Sequence, residues 1–363
     1  MTEFSYQPAE RLPKAEREAI LADPGFGKAF TDHMVSISWT KDAGWHDAKV
    51  IPYGPIPMDP ASSVLHYGQE IFEGIKAYRH PSGDVVTFRP EANARRLNES
   101  ARRLALPELP EELFVQSLEE LIRADIDWVP SGEDQSLYLR PFMIADESFL
   151  GVRAAERARY MVIASPAGPY FSGGVKPVAI WLSETHARAG EGGTGAAKCG
   201  GNYAASLLPT RIAQQNGCAQ VLFTDARTED TIDELGGMNL FLVKADGTLV
   251  TPALNGNILD GVTRRSLIEL AKDRGHTVEE REVTVSEWME GVADGSVSEA
   301  FACGTAAVIT PISQLKSERG VLVDFGEQAP GALTMSLREE LTGIQFGTVE
   351  DTHGWVHKIA QGA

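Results

Sequence analysis

Hydrophobic and polar positions alternate along this chain with two different periods, and the exchange between them predicts a mixed α/β (α+β) protein. Apolar residues recur at helical spacing over 91–104 and 111–125, whereas 137–144 and 160–164 read as strands rich in apolar and aromatic residues. A second series follows, with a strand at 178–183, a helix from about Asn202 to Gln215, strands at 219–224 and 238–243, and a helix over 262–274. Between the two series, residues 168–177 concentrate glycine and proline. They predict a linker joining a small N-terminal α/β domain (1–167) to a larger C-terminal one (178–363). At 363 residues the chain exceeds what one hydrophobic core normally fills, which also argues for two domains. No internal repeat or low-complexity tract interrupts the pattern.

Charge narrows the partners. With 33 Lys+Arg against 51 Asp+Glu, the formal net charge of −18 repels phosphate backbones and anionic lipid, so neither nucleic acid nor a membrane is expected. Any anionic ligand must meet a local cluster of arginines. Cys199, Cys218 and Cys303 have no C-x-x-C spacing and predict neither a disulfide framework nor a metal site. There is no signal-like apolar segment near Met1 and no run of 18 apolar residues. A soluble, cytoplasmic protein is expected.

The segment Gly193-Thr-Gly-Ala-Ala-Lys198-Cys-Gly-Gly-Asn-Tyr203 confines one lysine between glycine-rich turns ahead of a helix. A lysine that is to form a Schiff base must be desolvated and lose its proton, and glycines let the backbone approach a flat ligand. A glycine-rich loop with a surface lysine has the same pattern. A P-loop does not, since Ala197-Lys198-Cys199 stands where Gly-Lys-Ser/Thr is required.

If Lys198 holds an aldehyde cofactor, of which pyridoxal 5′-phosphate is the obvious one, an acid for its ring nitrogen and donors for its phosphate are also needed. Glu234, in Thr231-Ile-Asp-Glu234-Leu-Gly-Gly237-Met-Asn239, is placed at a turn just before a buried strand, where it is either an exposed acid or one paired with a pyridinium. The run Asp260-Gly-Val262-Thr263 opens a helix whose free N–H groups favour an anion, although Asp260 could simply be the helix N-cap. Gly304-Thr305-Ala306 offers a hydroxyl and backbone donors. Tyr138 and Arg140 project from one face of a strand, either as a carboxylate clamp or as a half-exposed surface. One arginine of the helix beginning near Phe88 can turn inward to phosphate.

Taken together, these residues resemble the branched-chain amino acid aminotransferases, members of the class IV (fold-type IV) pyridoxal-phosphate enzymes. The likeness runs through Phe30-Thr-Asp-His-Met34, Leu65-His-Tyr67, Phe72-Glu-Gly-Ile-Lys-Ala77, Tyr138-Leu-Arg-Pro141, Tyr170-Phe-Ser-Gly-Gly174, Lys198-Cys-Gly-Gly-Asn-Tyr203, Glu234-Leu-Gly-Gly-Met-Asn239, Asn257-Ile-Leu-Asp-Gly-Val262 and Gly304-Thr-Ala306.

The resemblance implies a two-domain fold with the cofactor in the cleft between the domains. It implies transfer of the amino group between leucine, isoleucine or valine and 2-oxoglutarate by a ping-pong mechanism, so that the partners are small amino acids and 2-oxo acids. Lys198 would form the Schiff base and shuttle the proton, Glu234 would pair with the pyridine nitrogen, and Tyr203 would bond the ring oxygen. Arg96, the backbone N–H groups of Val262 and Thr263, and the hydroxyls of Thr263 and Thr305 would hold the phosphate. Thr305 and Ala306 amides, with Tyr67 and Arg140, would hold the α-carboxylate. Phe30, Phe72, Tyr138, Tyr170 and Tyr203 would line the side-chain pocket, with Tyr67, Leu150 and Val152 lent by the second subunit of a homodimer. Burial in such a pocket favours a branched side chain by roughly 0.8 kcal/mol per methylene. Arg140, with the Tyr67 and Tyr138 hydroxyls, would satisfy the second carboxylate of glutamate.

The chain departs from the family's pattern in two places. Gly237 stands near the cofactor where animal members carry threonine, and Ala307 and Thr310 replace their redox-sensitive C-x-x-C, which removes a dithiol switch. D-amino acid aminotransferase and aminodeoxychorismate lyase share the lysine and glutamate, but Tyr67, Tyr138 and Arg140 argue against both. A non-catalytic binding protein on the same scaffold would need neither Lys198 nor Glu234.

Overall fold

The computed structural model describes residues 2–169 and 174–361, which divide between two compact units. Tyr170 and part of the linker expected at 168–177 lie outside the described residues. The first unit comprises Met1–Tyr170, Ala197–Gly200 and Gly343–Ala363; the second comprises Phe171–Ala196 and Gly201–Thr342.

In the first unit, strands β1 (Ser5–Tyr6), β2 (His33–Thr40), β3 (Gly44–Pro52), β4 (Glu70–Phe72), β5 (Ile75–Arg79), β6 (Val85–Phe88), β7 (Ser136–Ala145) and β8 (Arg157–Ala167) form one sheet with the C-terminal strand Val356–Ala360. Its order is β1-β3-β2-β8-β7-β5-β6 and then the C-terminal strand, with β4 paired to β7. Strand β7 shows why the sequence pattern is legible. Leu137, Leu139 and Met143 alternate inward and are fully buried, while Tyr138, Arg140 and Phe142 share the other, half-buried face. Helices α1 (Lys14–Ala22) and α2 (Ser63–Tyr67) are short additions. Helices α3 (Pro90–Arg103) and α4 (Glu111–Ala124) bury Leu97, Phe114, Leu118 and Leu121 in a core shared with Val35, Ile37 and Leu137.

Residues after 177 do not all belong to the second unit. Ala197 and Cys199 are buried in the first unit's core, and the C-terminal strand zips antiparallel onto β6. The domain expected at 178–363 thus gives two segments, Lys198 among them, to the first unit.

The second unit holds β9 (Val178–Leu182), β10 (Gln220–Thr224), β11 (Ile232–Leu235), β12 (Asn239–Lys244), β13 (Leu249–Pro252), β14 (Val278–Arg281), β15 (Val297–Gly304), β16 (Val308–Ser317) and β17 (Gly320–Asp324). They form a second sheet in the order β11-β10-β9-β16-β15-β12-β13-β14, with β17 paired to β16. Helix α5 (Gly200–Gln215) follows the lysine, α6 (Val262–Asp273) follows β13, and α7 (Val285–Asp294) and α8 (Ala332–Phe346) complete the chain's helices among the described residues.

Candidate active site

In the first unit the lysine is held by its backbone. Lys198 N–H donates to Ser100 Oγ on α3 at 2.9 Å, and Lys198 O accepts from Phe72 N–H at 3.0 Å. With both peptide groups pinned, the half-buried side chain is aimed rather than free. Its Nζ lies 4.8 Å from the centroid of the Phe72 ring. Arg140 meets that ring as well, with Cζ 4.8 Å from its centroid, and donates to the Tyr138 hydroxyl at 3.1 Å. Gly74 makes this arrangement possible, because a Cβ built there would overlap the Tyr138 hydroxyl. Glu70 accepts from Gly200 N–H; burial pushes its carboxyl up, against the pull of that N–H and of Arg140.

Phe30 is stacked on Tyr53, with centroids 4.8 Å apart, and the ring set edge-on against Tyr138 is that of Phe26, at 5.1 Å. Phe26 sits in a loop between Gly25 and Gly27, both in the left-handed region, and so stays half-exposed. Arg96 does turn inward, but to a carboxylate: Nε and Nη2 bind Glu73 at 2.8 and 2.7 Å. Tyr67, Leu150 and Val152 are exposed apolar residues, and the Tyr67 hydroxyl donates to Leu150 O.

In the second unit Glu234 lies within β11 and is 2 % exposed, not at a turn before the strand. The reason is the pairing of β11 with β10, which places Leu235 opposite Leu222 and leaves the Gly236-Gly237 pair to turn the chain. Donors from three separate segments converge on its carboxylate. Arg188 Nη1 is 2.8 Å from Oε1, Leu259 N–H donates to Oε1 at 3.0 Å, and Asn239 Nδ2 donates to Oε2 at 3.3 Å. Buried charge is tolerated only with partners of this kind. Arg188, 5 % exposed, is itself tied to Asn257 O at 2.9 Å. Sequence reasoning missed Arg188, whose only signal was a lone basic residue leading into the glycine-rich loop. Asn239 was visible as part of a motif but had no role until its donors were seen.

The remaining expected groups gather about Asn239. Asn239 Nδ2 also donates to Leu259 O at 2.9 Å, and a Cβ at Gly261 would overlap Asn239 Oδ1, so the chain entering α6 must be glycine here. Gly261 is the N-cap of α6, and Asp260 instead binds Arg265 as an ion pair. With a cap that has no side chain, the first N–H groups of α6, including those of Val262 and Thr263, cannot be satisfied within the helix. Asn239 pairs with Cys303 across β12 and β15, bringing the 304–307 turn close by. A Cβ at Gly304 would lie 3.5 Å from Gly237 O. Thr305 and Ala306 form the tip of that turn, and Val308 closes it at φ 60°, a conformation costly for a β-branched residue. Tyr203, half-buried on α5, stands beside Gly237, where an added Cβ would make ordinary contact with Cε1 at 3.6 Å. The three cysteines are free and buried, and burial pushes the Cys303 thiol up to about 12.

The two groups differ in chemistry. The first unit offers an aimed amine beside an aromatic ring and a guanidinium; the second offers a fixed buried carboxylate, a helix start open to an anion, and a turn of backbone donors. These residues fit pyridoxal 5′-phosphate: the carboxylate suits a protonated ring nitrogen, and the glycine-cradled helix start suits a phosphate.

Comparison with known proteins agrees. Residues 70–315 match the model of the amino-transferase class IV family. The branched-chain-amino-acid aminotransferase of Mycolicibacterium smegmatis is 58 % identical over 349 residues, 95 % of either chain. Solved structures of similar fold include the T.th. branched-chain amino acid aminotransferase complexed with N-(5′-phosphopyridoxyl)-L-glutamate (TM-score 0.71, 27 % identity, 90 % of this chain and 99 % of that one). Another is the branched-chain aminotransferase of Thermoproteus uzoniensis with norvaline (TM-score 0.73, 26 % identity, 90 % and 100 %). The chain belongs to the class IV aminotransferases, within which it groups with the branched-chain-amino-acid enzymes.

Proposed function

We propose that this chain transfers the amino group of leucine, isoleucine or valine to 2-oxoglutarate, and back, with pyridoxal 5′-phosphate as cofactor. The observation that carries this reading is Glu234, a carboxylate buried at 2 % exposure and bound by Arg188 and a backbone N–H, placed as the partner a pyridinium requires. Bound, the cofactor supplies an aldehyde for the lysine and a ring that withdraws electrons. Lys198 would hold the cofactor, and its amine would move the proton of the substrate's α-carbon. Glu234 holds a proton on the ring nitrogen, and Tyr203 bonds the ring oxygen. Arg96, the Val262 and Thr263 N–H groups, and the Thr263 and Thr305 hydroxyls hold the phosphate. Thr305 and Ala306 amides orient the α-carboxylate with Tyr67 and Arg140. Phe72, Tyr138 and Phe26 supply apolar walls, and Arg140 takes the second carboxylate of glutamate. The glutamate adduct in the T.th. structure and the norvaline in the T. uzoniensis structure support the substrate pair.

The test is direct. Purified protein given leucine and 2-oxoglutarate is expected to yield glutamate and the matching branched 2-oxo acid in equal amounts, and the D-amino acids to yield none. A protein that transfers from D-alanine instead, or from no amino acid, would overturn the reading.

We also propose a homodimer in the cytoplasm. Free, buried cysteines suit a reducing compartment, and among the described residues no helix is long and apolar enough to cross a membrane. Leu65, Tyr67, Leu150 and Val152, between 44 % and 84 % exposed, form the apolar surface that each subunit would give to the other's pocket. Lys198→Ala and Tyr67→Trp homodimers are each expected to be nearly inactive. A mixed dimer contains one site with the intact lysine of one chain and the intact tyrosine of the other, and that site is expected to work. If tagged subunits exchange by mass spectrometry and no activity appears, Tyr67 serves its own chain.

A further inference from the structure

Helix α3 contributes more to the lysine than the phosphate arginine. Asn93, Arg96 and Ser100 are spaced three and four residues apart and therefore lie on one helical face. Asn93 Nδ2 donates to Glu73 Oε2 at 2.8 Å and to Gly74 O at 3.3 Å. Arg96 grips both oxygens of Glu73, which is completely buried. Ser100 Oγ, donating to Arg96 O at 3.0 Å, accepts the Lys198 N–H. Phe72, the neighbour of Glu73, closes the circuit with its bond to Lys198 O. Arginine, glutamate and lysine peptide are thus one hydrogen-bonded unit, in which Glu73, Arg96 and Ser100 are buried.

We propose that Glu73 is a positioning residue that aims the Arg96 guanidinium and cancels its charge at the Lys198 amine. A planar guanidinium bound through two of its nitrogens to one carboxylate has a single orientation. Without the carboxylate, a buried cation would stand uncompensated on the helix whose Ser100 holds the Lys198 peptide. Burial alone would push the Glu73 carboxyl up, yet Arg96, the Lys198 ammonium and Asn93 together hold it below its ordinary range. Other charged or titratable groups of the first unit are coupled to this cluster: Arg140 meets the Phe72 ring that also contacts the lysine amine, the Tyr138 phenol is bound to Arg140, Glu70 feels Arg140, and the buried Tyr160 phenol feels Glu73.

The inference rests on the reading of Lys198 as the reactive amine, and its test needs no cofactor. The full-length protein, stripped of cofactor, is pulsed with acetic anhydride across a pH series, and acetylation of the Lys198 peptide is followed by mass spectrometry with surface lysines as internal controls. Glu73→Gln is expected to move the pH midpoint of Lys198 acetylation down by about one unit or more, the scale of losing one nearby opposite charge. Glu73→Gln with Arg96→Met removes both charges and is expected to return the midpoint to within a few tenths of wild type, which a merely structural defect would not do. The double variant also keeps the test open if the single one fails to fold. A folded Glu73→Gln protein with an unmoved midpoint, or a double variant displaced as far as the single one, overturns the proposal. Failure of leucine to donate its amino group would instead overturn the functional reading and leave this result standing.

Discussion

Lys198→Ala is expected to abolish transamination, by at least about 10⁴-fold, because one side chain supplies both the covalent attachment and the transferred proton. The fold should survive. The bonds that fix residue 198 run through its peptide groups to Ser100 and Phe72, and alanine retains both. The half-buried ammonium contributes little to the core, so the melting temperature should stay close to that of the parent. Borohydride treatment of the parent is expected to bleach a yellow protein and leave the reduced cofactor on the Lys198 peptide; the variant should carry none. Near-normal turnover by the variant without an added amine would show that another group does the chemistry.

Much of this arrangement is legible from residue order because it depends on local periodicity. The alternation in 137–144 predicts β7 and its Tyr138–Arg140 face, and the helical spacing in 91–104 predicts α3. What cannot be read are partners distant in the chain. Arg96 and Glu73 are 23 positions apart, and Glu234 and Arg188 are farther apart still. Nothing in the spacing of charged residues distinguishes a buried pair from two solvated ones. Lys198 falls on the wrong side of the expected linker for a related reason, since four residues, Ala197–Gly200, return to the first unit through contacts with Ser100 and Phe72 rather than through any element of their own. Phe26 is set against Tyr138 by the left-handed turns at Gly25 and Gly27, which no periodicity signals. Glu234 reads as a turn residue because Gly236-Gly237 follows it, but β10 pairs up to Leu235 before the turn begins.

Each unit therefore contains a buried arginine–carboxylate pair, Arg96 with Glu73 in the first and Arg188 with Glu234 in the second. Such pairs are costly to desolvate and are a poor source of stability in themselves. Their value is preorganisation: a dipole or charge already in place does not need to reorient when the reaction demands it. In the first unit the carboxylate serves the arginine; in the second the arginine serves the carboxylate.

That second pair leads to an expectation in which stability and catalysis separate. Glu234→Gln removes the charge that holds a proton on the cofactor's ring nitrogen, and turnover should fall about 10²–10³-fold, the scale on which a preorganised charged group acts. The Michaelis constant for leucine should change little, because the charge matters most as electrons move into the ring. The same substitution strands Arg188, 5 % exposed, without its carboxylate, and breaking a buried pair by removing one partner costs about 3–5 kcal/mol of stability. Adding Arg188→Met to Glu234→Gln replaces the pair with neutral side chains and should recover most of that stability. It cannot restore the lost rate, since no anion faces the ring nitrogen in either variant. Chemical denaturation and steady-state kinetics on the single and double variants decide the matter. If stability and turnover recover together in the double variant, Glu234 acts only by holding the fold, and the ring nitrogen has another partner.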